Sequence, residues 1–183
     1  MAIQPGGAER PLSPLNEKAE LAWRAMTPAD LDGVVAVAQL SFPDHPEERA
    51  CFANRLGLHA EGCFVLAADN GPVMGYLVAY PWRRNAAPAL NVLIDAIPAD
   101  AEVLYLHDLA LHPDARGGGR TGPVIERLAE DAKAAGWPAL ALVAVNDAAA
   151  FWGRNGFDVQ TPPGMAEKLA SYGADARYMV RPL

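Results

Sequence analysis

The sequence predicts a single α/β (α+β) domain with a mixed, mostly antiparallel central sheet flanked by helices. Its 183 residues suffice for one hydrophobic core without disulfides or metal. Short apolar, β-prone runs alternate along the chain with segments of helical periodicity. A buried strand, a glycine-rich loop and an amphipathic helix also follow one another from residue 103 onward. Together these observations predict helices packed against one sheet.

Residues 1–22 precede the first regular pattern. They mix Pro, Gly, Ser and scattered charges without a helical or alternating period. We therefore expect a flexible leader at 1–22 and one folded domain at 23–183.

Two helices are predicted near the start of the domain. Thr27, Pro28 and Asp30 form a helix start signal. The apolar residues behind this signal recur at helical spacing, at Leu31, Val34, Val35 and Ala38. After a break at 41–46, residues 47–59 predict a second helix with Cys51, Phe52 and Leu56 on its apolar face.

A β-hairpin should follow these helices. Residues 63–68 and 73–82 are apolar and β-prone, and the sequence Asp-Asn-Gly-Pro between them is typical of a turn. The next segment, 83–102, is too long for a tight turn. We expect it to be partly helical and to line a binding site.

The segment 103–111 reads VLYLHDLAL and predicts a strand buried on both faces. His107 and Asp108 are unusual in such a strand, because ionisable side chains are rarely buried without a role or a partner. If the strand is regular, the two side chains point to opposite faces of the sheet.

The remaining elements alternate. A helical pattern after the glycines ends at Gly136, and a strand is expected at 140–145. Asn146 or Asp147 should cap a short helix that runs through Trp152. A strand from Phe157, a helix at 165–172 and a last strand near 178–180 complete the predicted order.

Composition excludes several classes of function. A net charge of −7 and a pI near 5.0 argue against nucleic-acid binding, which needs clustered Lys and Arg. No apolar run reaches the length of a membrane span, and the first residues lack a signal-peptide core. Cys51 and Cys63 do not have the partners of a zinc site, so we expect no metal and a cytoplasmic protein.

The glycine-rich loop indicates a phosphate-bearing ligand. Glycines at 117, 118, 119 and 122 let the backbone approach closely, and the unpaired N–H groups of a helix N-terminus attract phosphate. A Walker motif is excluded because no Gly-Lys-Ser/Thr follows. Gly117, Gly119 and Gly122 match the dinucleotide pattern GxGxxG, but too little chain remains for a Rossmann fold.

A third option comes from a family resemblance. The sequence of residues 116–121, RGGGRT, resembles the RxxGxG/A pyrophosphate loop of the GNAT superfamily of N-acetyltransferases, with Thr121 where Gly or Ala is usual. Asn146, the pair Phe151-Trp152 and the pair Gly156-Phe157 extend the resemblance at the family's spacing. The resemblance thus covers the C-terminal half of the chain well.

The resemblance implies acetyl-CoA as co-substrate and a small-molecule amine as acceptor. The strand backbone around Leu109 would pair with the pantetheine arm, and the glycine loop would hold the pyrophosphate. The residues expected to bind the cofactor are Leu109, Ala110, Leu111, Arg116, Gly117, Gly118, Gly119, Arg120, Thr121, Gly122, Asn146 and Trp152.

The chemistry requires a proton acceptor, because an alkylamine is protonated at neutral pH. His107 is the preferred base, since YLHDLALH resembles the corresponding strand of aralkylamine N-acetyltransferases, where the matching histidine removes a proton. Asp108 is a second catalytic candidate. Trp152 stands where the family usually has a tyrosine that acts as general acid. Because an indole N–H is not acidic near neutral pH, Tyr172, another tyrosine or solvent must protonate the leaving thiolate.

Two alternatives to the acetyltransferase remain at this point. One is a non-catalytic acyl-CoA sensor of the same fold, and the other is a nucleotide-dependent oxidoreductase built on GxGxxG. The sequence leaves open the identity of the acceptor and the oligomeric state, a homodimer included.

Overall fold

The computed structural model describes residues 20–183. Most of the expected leader, residues 1–19, lies outside the described residues, and Ala22 already belongs to the first strand. None of the helices in the described part of the chain is both long and apolar enough to cross a bilayer.

One mixed sheet forms the centre of the fold. Its seven strands are β1 (Ala22–Ala25), β2 (Cys63–Ala67), β3 (Val73–Trp82), β4 (Val103–Leu111), β5 (Ala139–Ala144), β6 (Asp158–Gln160) and β7 (Arg177–Pro182). They lie in the order β1-β2-β3-β4-β5-β7-β6. Every neighbouring pair is antiparallel except β4 and β5, so the expected mixed, mostly antiparallel sheet is confirmed.

Within residues 20–183, five α-helices cover the two faces of the sheet. They are α1 (Leu31–Ser41), α2 (Arg49–Leu58), α3 (Thr121–Ala134), α4 (Ala149–Arg154) and α5 (Ala166–Ala170). Helices α1 and α2 pack on one hydrophobic cluster with the side chains of one sheet face. Helices α3 and α4 pack on a second cluster at the opposite face. The expected layered arrangement therefore holds.

The start of α1 follows its sequence signal. Thr27 caps a 3-10 turn at Pro28–Asp30, and the backbone N–H of Thr27 donates to the Asp30 carboxylate at 2.8 Å. Arg24 donates two further hydrogen bonds to the same carboxylate, at 2.8 and 2.7 Å. The capping box thus also ties β1 to the first helix.

The sheet opens between its two parallel strands. β4 pairs with β5 only at Leu104 and Tyr105, whereas it pairs with β3 along most of its length. The edge of β4 beyond Tyr105 consequently has no strand partner on the β5 side within the described structure. An unpaired strand edge of this kind can accept an extended ligand as if it were another strand.

One strand was missed, and two local predictions were wrong. β1 was not expected as a strand, since its four residues are too few to show an alternating pattern. The segment between β3 and β4 forms no helix. Asn146 and Asp147 do not cap α4, because both adopt positive φ angles, of 55° and 56°, and the N-cap is Ala148 without a side-chain hydrogen bond.

Candidate active site

A cavity of about 170 Å³ lies where β4 and β5 diverge. β4 lines it with residues 105–111, and β5 and the following turn contribute Leu142, Val143 and Val145. Phe151 and Trp152 of α4 close one side. At the other end the cavity reaches Tyr172 and the segment before α2, which includes Glu47. It therefore connects the open strand edge with a group of ionisable side chains.

A β-bulge in β4 determines how these side chains are placed. Val78 pairs with Asp108 and Ala79 pairs with Leu106, so His107 is the extra residue of the strand. A bulge interrupts the alternation of side chains. The prediction that His107 and Asp108 point to opposite faces is consequently wrong.

Both side chains lie on the sheet face covered by α1 and α2. The His107 ring lies 5.6 Å from the Tyr80 ring between centroids, and the Tyr76 hydroxyl contacts Asp108. Tyr76 and Tyr80 both belong to the hydrophobic cluster of that face. The bulge thus brings two ionisable groups of β4 together at one end of the cavity.

Glu47 forms a short contact with His107. The Oε2 atom of Glu47 lies 2.6 Å from His107 Nε2, and the two side chains are only 5% and 3% exposed. Because a carboxylate can only accept, Nε2 carries the proton. Tyr80 Oη lies 3.0 Å from Nδ1, so both ring nitrogens have partners.

The Glu47 contact controls the ionisation of His107. Burial by itself would lower the pKa of His107, but the hydrogen bond and the charge of Glu47 outweigh burial and raise it. Burial would likewise raise the pKa of Glu47, and the contact with His107 instead lowers it. The pair therefore favours a carboxylate next to an imidazolium.

Asp108 has a different environment. Its Oδ2 atom accepts a hydrogen bond of 3.0 Å from the Tyr76 hydroxyl. Burial raises the pKa of Asp108 to about 6, against the opposing effect of His107. Asp108 thus titrates well above the usual range of a carboxyl group and lines the cavity.

Glu47 was not predicted as a site residue. It lies 60 positions before His107, in the segment that leads into α2, and its other oxygen accepts from the backbone N–H of Asn91 at 2.9 Å. Arg55 of α2 is 1% exposed and lies 4.0 Å from Glu47. Since this contact depends on how distant segments pack, no local sequence signal identified Glu47.

Tyr172 lines the same end of the cavity as Glu47. Its hydroxyl donates to the carbonyl of Pro88, and its own carbonyl accepts from Nε2 of His45 at 2.6 Å. Burial raises the pKa of Tyr172 to about 12. The segment 83–102 does line the cavity, as expected, through Leu90.

The glycine loop has the conformation that its sequence requires. Gly117, Gly118 and Gly119 all adopt positive φ angles, of 82°, 70° and 68°, which favour glycine. Among the described residues, their N–H groups have no backbone or side-chain acceptor. These donors lie just before the N-terminus of α3, where an anion is stabilised.

The expected cofactor residues divide into two groups. Leu109, Ala110, Leu111, Thr121 and Trp152 line the cavity itself. The others do not line it: Arg116, Gly117, Gly118, Gly119 and Arg120 precede α3, Gly122 lies in the first turn of α3, and Asn146 follows β5. Trp152 packs on Phe157 with ring centroids 5.3 Å apart.

A metal ion is not needed to explain the ionisable cluster. One polar atom each of Glu47, His107 and Asp108 lie within 4.8 Å of one another, which is a spacing that metal ligands also have. However, Glu47 and His107 are already hydrogen-bonded to each other at 2.6 Å. This hydrogen bond accounts for the closeness of the two side chains.

The comparisons with known proteins agree with the fold. The sequence model of the acetyltransferase (GNAT) family matches residues 21–157, and the chain belongs to this family. It is thus an acetyltransferase by family, and the oxidoreductase alternative is excluded. A comparison with curated protein sequences gives no significant match.

Solved structures with low sequence identity share the fold. Ard1 from Thermoplasma volcanium is 16% identical, with a TM-score of 0.68 over 89% of this chain and 97% of that one. Phosphinothricin acetyltransferase from Sinorhizobium meliloti, in complex with AcCoA, is 22% identical, with a TM-score of 0.64 over 89% and 88%. PaiA N-acetyltransferase from Thermoplasma acidophilum, in complex with coenzyme A, is 13% identical, with a TM-score of 0.62 over 90% and 99%.

Proposed function

We propose that this protein transfers the acetyl group of acetyl-CoA directly to a primary amine. The observation that carries the proposal is the position of Glu47, His107 and Asp108 at the end of an open strand edge. Family membership and the CoA-bound structural neighbours support acetyl-CoA as the co-substrate. Two free, buried cysteines fit a cytoplasmic location.

The chain offers binding groups for each part of acetyl-CoA. The unpaired edge of β4, around Leu109 and Leu111, supplies backbone groups for the pantetheine arm. The free N–H groups of Gly117–Gly119 and the N-terminus of α3 supply donors for the pyrophosphate. Trp152 lines the same cavity as the β4 edge.

Proton removal from the acceptor is assigned to the ionisable cluster, with His107 as the group that stores the proton. When Nε2 donates to Glu47, the lone pair of the neutral ring is on Nδ1. Asp108 lines the cavity and lies within 4.8 Å of His107, so one water molecule can connect the two side chains once the Tyr80 hydroxyl turns away from Nδ1. Its pKa of about 6 suits a group that passes a proton on.

Departure of the CoA thiolate depends little on an acid. A thiol with a pKa of about 8.5 is a tolerable leaving group. Tyr172 remains the candidate acid on the cavity wall, but its hydroxyl would have to leave the Pro88 carbonyl. Because burial raises the pKa of Tyr172 to about 12, we expect it to contribute less than the base.

Substitution of His107 tests the proposal. In His107→Gln, the amide can still bond to Glu47 and Tyr80 but cannot store a proton at neutral pH. We expect thiol release with an amine to fall about 10²- to 10⁴-fold, the usual contribution of a general base. Acetyl-CoA affinity, measured by calorimetric titration, should be nearly unchanged.

His112→Gln is the matched control, because His112 lies five residues further on and its side chain bonds only locally to Asp114. This variant should retain wild-type turnover. A His107→Gln enzyme with full activity and an unchanged pH profile would contradict the base assignment. Acetyl-CoA binding without thiol release on any amine would instead favour the acyl-CoA sensor, which the unusual Trp152 makes the second candidate.

A further inference from the structure

We infer that the acceptor is a compact, largely apolar amine without an acidic group beside its nitrogen, and that Asp108 holds its ammonium group. This inference rests on the proposed function and narrows its substrate class. It depends on four features of the acceptor end of the cavity, which is the end near Glu47, Asp108 and Tyr172. These features are the negative charges there, the Asp108 carboxylate without an ion-pair partner, the free Nδ1 acceptor of His45 and the apolar wall.

The charges at this end of the cavity are predominantly negative. Glu47 and Asp108 both line it, and the other ionisable lining side chains are two histidines and Tyr172. No Arg or Lys lines the cavity within residues 20–183. Because the His107 imidazolium is already paired with Glu47, a substrate carboxylate would lose its hydration next to two carboxylates without gaining a free cationic partner.

The carboxylates of Glu47 and Asp108 differ in the cationic partners that they already have. Glu47 has His107 at 2.6 Å and Arg55 at 4.0 Å. Asp108 has the neutral Tyr76 hydroxyl, and no Lys, Arg or His nitrogen of the described residues lies within salt-bridge distance of it. A substrate ammonium would supply the directly hydrogen-bonded cation that Asp108 lacks.

His45 adds an unused hydrogen-bond acceptor. Because Nε2 must donate to the Tyr172 carbonyl, the neutral ring keeps its lone pair on Nδ1. Nδ1 is buried and has no partner among the described residues, although His45 lines the cavity. A buried acceptor without a donor is costly, and an N–H group of the acceptor substrate would satisfy it.

The wall around these groups is apolar. Phe42, Leu90 and the ring of Tyr172 line it, and the whole cavity measures about 170 Å³. Because the same cavity borders the strand edge assigned to the pantetheine arm, only part of it is left for the acceptor, and a compact hydrocarbon or aromatic body would fit there with its ammonium group at Asp108.

Matched amine and amino acid pairs test the inference. 2-Phenylethylamine and L-phenylalanine differ only in the α-carboxylate, as do 3-methylbutylamine and L-leucine. We would titrate each compound into the full-length protein saturated with CoA, and follow thiol release from acetyl-CoA in parallel. We expect each amine to bind at least about tenfold more tightly than its amino acid, because the carboxylate has no partner in the site.

Asp108→Asn should weaken amine binding by about ten- to hundredfold, since it removes one charge-assisted hydrogen bond but can still bond to Tyr76. Binding of the amino acids should change little. Asp69→Asn makes the same substitution in the exposed turn between β2 and β3, and it should leave all affinities unchanged.

The possible results are distinct. Equal or tighter binding of the amino acids, no measurable amine binding at millimolar concentration, or unchanged amine affinity in Asp108→Asn would each overturn the inference. Preferred amine binding without thiol release would support the inference but contradict the proposed transferase. Thiol release that is faster with the amino acids would support the transferase and overturn the inference.

Discussion

At the scale of single residues, Glu47 determines the protonation state of His107 before the substrate binds. The carboxylate raises the pKa of His107 even though burial opposes this. A base that is protonated at rest is inactive, so turnover should increase as pH rises through the pKa of His107. The contact with Glu47 therefore lowers activity at lower pH and fixes the orientation of the His107 ring.

Glu47→Gln should shift the acid limb of the kcat/KM profile to lower pH. The substitution removes the hydrogen bond to the carboxylate and its charge, which raise the pKa of His107, and leaves burial, which lowers it. The neutral, proton-accepting ring then persists to lower pH. The measurement is kcat/KM for an amine across the pH range in which histidine titrates.

Glu48→Gln is a suitable control, because it removes the same charge from the exposed neighbouring residue. Its acid limb should coincide with that of the wild-type enzyme. If Glu47→Gln left the limb in place or moved it to higher pH, His107 would not be the group that titrates in the profile.

The sequence identifies some of these residues and misses others for physical reasons. His107 and Asp108 could be predicted because ionisable groups stand out in an apolar strand. Glu47 and His45 could not, since each is an ordinary polar residue near a helix start whose role arises from contacts with distant segments. The common face of His107 and Asp108 also depends on a bulge, which leaves no clear mark in VLYLHDLAL.

At the scale of elements, α2 must approach β3 closely so that Arg55 of α2 can lie near Glu47. The chain turns from α2 into β2 at Gly62, where an added Cβ would lie only 2.1 Å from the carbonyl oxygen of Ala79. Ala79 is also the residue at which the pairing of β3 with β4 shifts. The close backbone contact therefore lies beside the bulge that places His107.

Gly62→Ala should lower the free energy of unfolding by about 1–3 kcal/mol or more, because backbone on both sides must move to admit the methyl group. Gly57→Ala provides the opposite case. Gly57 lies inside α2, and an added Cβ would meet no atom within 4 Å. Alanine should therefore stabilise the helix, by up to about 1 kcal/mol.

Chemical denaturation of both variants checks this pair of predictions. Equal changes in the two variants would contradict the proposed steric contact at Gly62.

Helices and strands with long periodic patterns, such as α3 and β4, were predictable without such contacts. Short elements such as β1 exist because a neighbouring strand, here β2, pairs with them.

At the scale of the whole molecule, the sheet consists of two parts joined by few strand contacts. β1–β4 form one part and β5–β7 the other, and the register between them includes only Leu104↔Leu140 and Tyr105↔Ala141. A ligand that occupies the opening would bridge both parts. We therefore expect acetyl-CoA to stabilise the whole domain and not the glycine loop alone.

A thermal unfolding series with CoA tests this expectation. A ligand at 100 times its Kd adds about 2.7 kcal/mol of stability, and each kcal/mol raises the Tm of a domain of this size by about 2–4 °C. The wild-type Tm should thus rise by several degrees and depend on CoA concentration.

Two valine substitutions separate ligand binding from loop strain. Gly119 and Gly164 both have positive φ angles, of 68° and 85°, and an added Cβ at either would meet no atom within 4 Å. A β-branched residue disfavours this conformation, so both apoproteins should lose about 1–2 kcal/mol. Relaxation at Gly119 also turns the N–H groups of the glycine loop, and only Gly119→Val should lose the CoA-dependent rise in Tm. A full rise in Gly119→Val, or its loss in Gly164→Val, would show that the loop conformation does not hold the cofactor.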